Sequence, residues 1–384
     1  MNYTFIQDPE QLTAICNQLS NSEFLCVDTE FHREKTYYPE LALLQISNGT
    51  TAICIDPLAI KNLQPVLELF TNPTITKVFH AAQQDIEIFC QHFNTLPSPV
   101  FDTQIAATLL GYGEQVGYAA LIKDTLKIDV DKSQTRTDWM KRPLNEKQLD
   151  YAASDVIYLA QAYPMLLEQL EKQQRLDWLA DDFKRISRKD QYQVDIQAIW
   201  KKVKGHQRLN GQQLAILQSI ASWREQTAQQ KDRPRRKILS DDALIDIARQ
   251  QTSSSADILA LRSITQSRIN REDAQALANG VNTGLNLPKE SWPRLPKKQK
   301  INFNDDALVD CLISILKIMG HENKINHGIM ASRKQLEALV LGERDLPILD
   351  GWRKQHGGQT LVDFLDGKLS IHIDCGKLNL QKKS

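Results

Sequence analysis

No Cys-x-x-Cys pair occurs in this chain of 384 residues, although it holds six cysteines. Cys16, Cys26, Cys54, Cys90, Cys311 and Cys375 are scattered, several of them inside apolar runs where cysteine acts as a small hydrophobe. That spacing argues against a zinc site and fits a reducing compartment, so a cytoplasmic protein is expected. No uninterrupted apolar stretch approaches the roughly 20 residues of a membrane span. The opening residues Met1-Asn2-Tyr3-Thr4-Phe5-Ile6-Gln7-Asp8 carry neither a basic leader nor an apolar core, so a secretory signal is not expected. There is also no Gly-rich loop ending in Lys-Ser or Lys-Thr, which excludes a P-loop motor. The fragment Gly111-Tyr112-Gly113 lacks the rest of a phosphate loop and reads as an ordinary loop.

Net charge is absent too: 47 basic residues balance 47 acidic ones. The balance hides an asymmetry. Residues 1–170 carry about ten more acids than bases, and residues 171–300 about ten more bases than acids. An acidic half joined to a basic half suggests that one part binds metal while the other holds a polyanion. The basic excess concentrates at Lys201, Lys202 and Lys204 and at Arg233, Arg235, Arg236 and Lys237, the candidate nucleic-acid contacts.

The acidic half contains the chemistry. Asp28 and Glu30 follow the apolar run Phe24-Leu25-Cys26-Val27. A strand has a side-chain period of 2, so the two carboxylates share a face. Like charges so placed repel unless a cation lies between them, and hard divalent cations favour carboxylate oxygen. Asp85 comes shortly after a second strand-like run, Ile75 to Phe79. Tyr151 and Asp155 are i and i+4 on a helix flanked by apolar positions, so phenol and carboxylate point the same way and need polar partners. Asn145 and Gln148 form a capping box that starts this helix, and Pro164 is expected to end it, kink it or open the next one. His80 and His92 read as hydrogen-bonded core groups, Trp139 as core, and His32-Arg33 as either a substrate contact or a solvated strand end.

The order Asp-x-Glu, Asp, Tyr-x-x-x-Asp resembles the DEDD superfamily of 3′→5′ exonucleases, tyrosine subgroup. Thr137-Asp138-Trp139-Met140-Lys141-Arg142-Pro143-Leu144, followed by Gln148 and Tyr151-Ala152-Ala153-Ser154-Asp155, is similar to the ribonuclease D family within it. The resemblance implies a ribonuclease H-like α/β domain and two divalent ions, Mg²⁺ or Mn²⁺, with no covalent intermediate. It implies that Asp28 bridges both ions, that Glu30 and Asp155 complete the site of the ion carrying the attacking water, that Asp85 holds the second, and that Tyr151 orients the water. The implied activity is an exoribonuclease that releases nucleoside 5′-monophosphates, with RNA bearing a free 3′ end as partner, tRNA precursors and other structured RNA as substrates, and no obligate protein partner. A DNA 3′→5′ exonuclease is the alternative, because metal chemistry at phosphate does not distinguish the sugars. A non-catalytic RNA-binding adaptor would need a broken acid set, and the set is complete.

Local patterns divide the chain further. Residues 24–31, 41–47, 52–56, 76–80 and 100–103 read as strands, with Asn48-Gly49 signalling a hairpin. Residues 63–70 and 81–93 read as helices, giving a mixed sheet flanked by helices over an exonuclease domain at 1–175. A connecting segment, 176–208, follows. Leu214, Leu217, Ile220, Ala221 and Trp223 mark an amphipathic helix, and Ser240-Asp241-Asp242 caps another. This all-helical stretch, 209–287, resembles an HRDC domain. A Pro-containing basic linker is expected at 288–300. Asn304-Asp305-Asp306-Ala307-Leu308 and Trp352-Arg353 echo Ser240-Asp241-Asp242-Ala243-Leu244 and Trp223-Arg224, which suggests a second, diverged HRDC-like all-α module at 301–380.

Overall fold

The structure, a computed structural model, describes residues 2–264, 269–295 and 300–382. Part of the expected basic linker, 296–299, lies outside the described residues.

Six strands build the first sheet: β1 (Thr4–Ile6), β2 (Phe24–His32), β3 (Glu40–Ser47), β4 (Ala52–Ile55), β5 (Thr76–Phe79) and β6 (Val100–Asp102), in the order β1-β4-β3-β2-β5-β6. β2, β3 and β4 run antiparallel to their neighbours among them, whereas β2–β5, β5–β6 and β1–β4 are parallel. The helices of this domain are α1 (Pro9–Leu19), α2 (Gln64–Thr71), α3 (Gln83–Phe93), α4 (Thr103–Leu109), α5 (Tyr118–Leu126) and α6 (Glu146–Lys172). They flank the sheet as expected for a ribonuclease H-like domain. β2 shows why. Its odd residues Leu25 and Val27 enter the core built with α1–α3, and Cys26 enters the core shared with α6. Strand alternation thus feeds two cores and leaves Asp28 and Glu30 facing α6.

β1 was not expected. With three residues it is too short to show a period, and it is held by parallel pairing to β4. The Asn48-Gly49 hairpin forms. Asn48 Oδ1 accepts from the Thr50 and Thr51 amides, and Gly49 adopts φ +91°. α6 begins at the expected capping box, Asn145 with Gln148. It does not stop at Pro164 but runs on to Lys172. An internal proline costs about 3 kcal/mol. Leu159 and Tyr163 before it and Leu166 and Leu170 after it are buried, at roughly 1.5–3 kcal/mol each, so packing on both sides outweighs the break.

Beyond α7 (Ala180–Ile186) the first helical module contains α8 (Gly211–Gln230), α9 (Arg235–Ile238), α10 (Asp241–Gln250), α11 (Ser255–Ala260) and α12 (Arg271–Leu285). Its core joins Leu214, Leu217 and Ile220 of α8 to Leu244, Ile247 and Leu277. α8 and α12 approach so closely that a Cβ on Gly284 would sit 2.5 Å from the Ile216 backbone.

The last stretch holds α13 (Phe303–Glu322), α14 (Arg333–Val340), α15 (Gly351–Arg353) and α16 (Gln359–Leu365), then a hairpin of β7 (Leu369–Asp374) and β8 (Lys377–Lys382). The hairpin corrects the all-helical expectation for this stretch. Cys375 and Gly376 both have positive φ, the geometry a two-residue hairpin turn requires, and Ile371 and Leu380 pack inward. The sequence echo does not mark equivalent positions. Ser240 is the N-cap of α10, whereas α13 is capped by Asn302 and Asn304 lies inside it. Nor is this stretch an appendage. Val309, Leu312 and Trp352 share one apolar cluster with Phe101, Leu109 and Tyr163 of the sheet domain. Arg175 donates to the carbonyls of Leu109 and Asn323, and Arg353 pairs with the buried Asp182. Cutting the chain near Ser187 would strip one wall from that cluster.

Candidate metal centre and nucleic-acid surface

β2 and α6 meet at the carboxylates. Asp28, Glu30 and Asp155 each offer an oxygen, and the three oxygens lie within 4.8 Å of one another. Tyr151, one turn before Asp155, lines the same pocket of about 240 Å³. Strand alternation brings the first pair together and the i, i+4 relation brings the second, as the spacing predicts. Tyr151 is backed by Trp139, whose ring is buried 6.0 Å away.

Asp85 stands apart from the trio. It is buried in the first turn of α3 and does not line the pocket. Its carboxylate accepts a 2.5 Å hydrogen bond from the hydroxyl of Thr29, the β2 residue between Asp28 and Glu30. Its charge still reaches Glu30.

The cluster is electrostatically frustrated. Burial pushes the Asp28 carboxyl up to about 6, against a hydrogen bond from the Thr29 backbone that lowers it. Burial first, then the charges of Asp28, Asp155 and Asp85, lift Glu30 to about 10. Asp85 and Asp155 are raised well above the usual carboxylate range by burial and by Asp28. Tyr151 rises to about 12 through burial and the neighbouring Asp155. Among the described residues, no lysine or arginine forms an ion pair with these four acids. Three convergent hard oxygen donors without a protein cation are the donor set that Mg²⁺ or Mn²⁺ takes.

This leads to a measurable pH dependence. The folded values of Asp28 and Glu30 lie above the unfolded ones, near 4 for carboxyl side chains. Their contribution to stability is therefore complete below about pH 4 and is lost as pH rises, through about 6 for Asp28 and on towards about 10 for Glu30. A cation that binds the ionised form reverses the loss and competes with protons for the site. The thermal midpoint gained on adding Mn²⁺ should be larger at pH 8 than at pH 5.5, with a gain on the order of 5 °C at saturating metal. A gain that is equal at both pH values would contradict proton-linked binding at these acids.

Three polar residues of the pocket lie outside the set of site residues that the sequence suggests. Tyr118, the first residue of α5, lines the pocket and donates to the Asp155 carbonyl at 2.6 Å. His80 lines it as well, held between the Thr103 hydroxyl and the Val116 carbonyl at 3.0 Å each, the hydrogen-bonded role expected of it. Thr29 completes the set, and its only signal was its place between the two acids. His92 meets the Pro39 carbonyl, and Arg33 pairs with Glu87 at 2.6 Å.

The basic candidates divide. Arg235 is committed to protein: it forks the buried Glu225 and lies over the Tyr37 ring, 5.0 Å from its centroid. A buried carboxylate demands such a partner, which is why Arg235 leaves the exposed basic run. Lys201 lies over Trp200 and Arg236 reaches Asp241 at 3.3 Å. Lys202, Lys204, Arg233 and Lys237 have exposed side chains.

Comparison with known proteins follows the same division of the chain. A family model described as a 3′-5′ exonuclease matches residues 3–171, and one described as an HRDC domain matches residues 213–276. Ribonuclease D of Bartonella henselae is 39% identical, over 95% of this chain and 90% of that protein. Ribonuclease D of Zymomonas mobilis is 36% identical, over 98% and 97% respectively. The crystal structure of Escherichia coli RNase D, described as an exoribonuclease involved in structured RNA processing, matches with a TM-score of 0.83 at 29% identity, covering 96% of this chain and 99% of that one.

Proposed function

This chain belongs to the ribonuclease D family, metal-dependent 3′→5′ exoribonucleases, and we propose that it trims the 3′ ends of tRNA precursors and other structured RNA by two-metal hydrolysis. The convergence of Asp28, Glu30 and Asp155 beside Tyr151 carries the reading.

Asp28, Glu30 and Asp155 would hold one ion, with Asp28 shared and Asp85 serving the second from behind Thr29. When bound, such a pair of Mg²⁺ or Mn²⁺ ions activates water and stabilises charge on both the attacking and the leaving oxygen. The protein's own groups do the rest. Tyr151 presents a hydroxyl to the attacking water and, being pushed up to about 12, stays protonated at neutral pH. Tyr118 fixes the backbone of Asp155. The 3′ nucleotide leaves as a nucleoside 5′-monophosphate, with no side-chain nucleophile. Lys201, Lys202, Lys204, Arg233, Arg236 and Lys237 would add phosphate contacts on the helical side, while Arg235 keeps the domains together. The second HRDC-like module, over 301–380, belongs to the same proposal. It is supported by α13, which matches α8 in its 20-residue length and its asparagine cap with a capping box. No described helix is long and apolar enough to cross a membrane, and action in the cytoplasm is part of the proposal.

The test uses matched 5′-labelled RNA and DNA strands and a tRNA precursor with a 3′ trailer. Mg²⁺-dependent shortening from the 3′ end with 5′-monophosphate products, faster on RNA than on DNA and blocked by EDTA, is expected. Faster cleavage of DNA would make the chain a DNA exonuclease, and binding without release of nucleotides would make it an adaptor.

A further inference from the structure

We propose that the cleft between the nuclease domain and the first helical module is a second nucleotide subsite, which holds the RNA backbone on the 5′ side of the nucleotide being removed. The inference rests on the exoribonuclease reading and adds a place for the strand.

The cleft has a volume of about 560 Å³, within the range of sites that hold a small ligand. Three pieces of chain wall it: α3 with the loop after β2, the connecting residues around 191–194 with Lys202, and the start of α9. None of its lining residues belongs to the metal pocket.

Charge is the first argument. Arg33, Lys202, Arg235 and Arg236 reach the cleft against a single carboxylate, Glu87. Arg33 neutralises Glu87, and Arg235 is engaged with Glu225 behind the wall. Lys202 is exposed and forms no ion pair among the described residues, and Arg236 is 76% exposed at 3.3 Å from Asp241. Two cations therefore remain for phosphate. Amides are the second argument. Gln83, Gln191 and Gln193 line the same space, and each side chain offers both donors and an acceptor to ribose hydroxyls and base edges.

Rigidity is the third. Tyr37 donates its hydroxyl to Glu225, and the amides of Tyr37 and Tyr38 both donate to Asp232, at 2.9 and 3.0 Å. The loop after β2 is thus fastened across the domain boundary by partners nearly two hundred residues away in sequence, and the wall is set before a ligand arrives. Position is the fourth. Arg33 lies three residues beyond Glu30, and Gln83 two before Asp85. At about 3.3 Å per extended residue, the chain from Glu30 to Arg33 spans at most about 10 Å. In this proposal a strand whose 3′ end sits at Asp28 and Glu30 passes the end of β2 into the cleft, which makes RNA, rather than a separate small anion, the occupant.

The experiment uses the full chain with Lys202→Ala and Lys202→Glu, and unstructured RNAs of 3 and 12 nucleotides. Binding of the longer strand in EDTA is followed by fluorescence anisotropy against salt, and KM for both lengths is measured with Mg²⁺. Lys202→Ala should reduce the log–log salt slope by about 1, the loss of one phosphate contact. Lys202→Glu should reduce it further, and the KM advantage of the longer strand should shrink several-fold in both variants. Unchanged slopes and an unchanged length advantage in both would overturn the subsite. So would an equal rise in KM at both lengths, which marks a diffuse field rather than a contact. The EDTA arm needs no turnover, so an inactive parent protein would count against the exoribonuclease reading while the slope still judged the cleft.

Discussion

Asp28→Asn should cut turnover of a short RNA by about 10³-fold or more while leaving the fold in place. Removing a single preorganised charge-stabilising group commonly costs 10²–10³ in rate, and Asp28 is the acid that the other three sense most directly. The amide keeps the size and one oxygen but loses the charge that a hard cation needs. The metal-free protein gains from the change. Burial and the Asp28 charge raise Glu30, Asp85 and Asp155, so removing that charge relieves repulsion at neutral pH. The metal-free melting temperature should hold or rise, and the Mn²⁺-induced gain should vanish. Single-turnover cleavage at saturating Mg²⁺ and a pair of melting curves measure both effects. Near-normal cleavage by Asp28→Asn would sink the assignment of the metal site. Asp85→Asn is a sharper probe of the second ion, because an asparagine oxygen can still accept from Thr29 and keep that local bond.

The parts of this site legible in the sequence are those fixed by local geometry. Asp28 and Glu30 share a face because a strand alternates, Tyr151 and Asp155 because a helix turns every 3.6 residues, and α6 starts at Asn145 because a box of two side chains satisfies its first amides. Asp85 shows the limit of that reasoning. Its order in the sequence placed it with the other acids, but a helix's first turn and a threonine across the strand decide where its oxygen points. The same limit hides Arg235. Within Arg233–Lys237 it looks like one more exposed cation, and only the fold brings Glu225 and Tyr37 to it. The hairpin at Leu369–Lys382 was legible in principle, since Leu369, Ile371 and Ile373 alternate before Cys375-Gly376, but the preceding helices drew the reading toward an all-α module. Pro164 is the reverse case: the local signal was clear, and burial on both sides of it prevailed.

Tyr151→Phe should lower the chemical step by about 10²-fold with little change in RNA affinity, the signature of a group that orients a reacting water rather than one that binds substrate. The phenol is well placed for this. It stands one helical turn from Asp155 in the metal pocket, and Trp139 packs against its ring, so the hydroxyl is aimed by the helix and by packing together. Phenylalanine fills the same volume and keeps the contact with Trp139, so the helix and the melting temperature should be preserved. Because burial and Asp155 push the hydroxyl up to about 12, the phenol does not titrate near neutrality. It acts as a neutral donor or acceptor, and a Tyr151→Phe enzyme should keep the pH profile of its parent below about pH 9, shifted down in rate but unchanged in shape. Single-turnover rates across that range, with RNA affinity measured beside them, separate the roles. A wild-type rate in the variant would reduce Tyr151 to packing against Trp139. A lost acidic limb would instead mean that Tyr151 sets the proton affinity of the carboxylates, which the proposed water-orienting role does not allow.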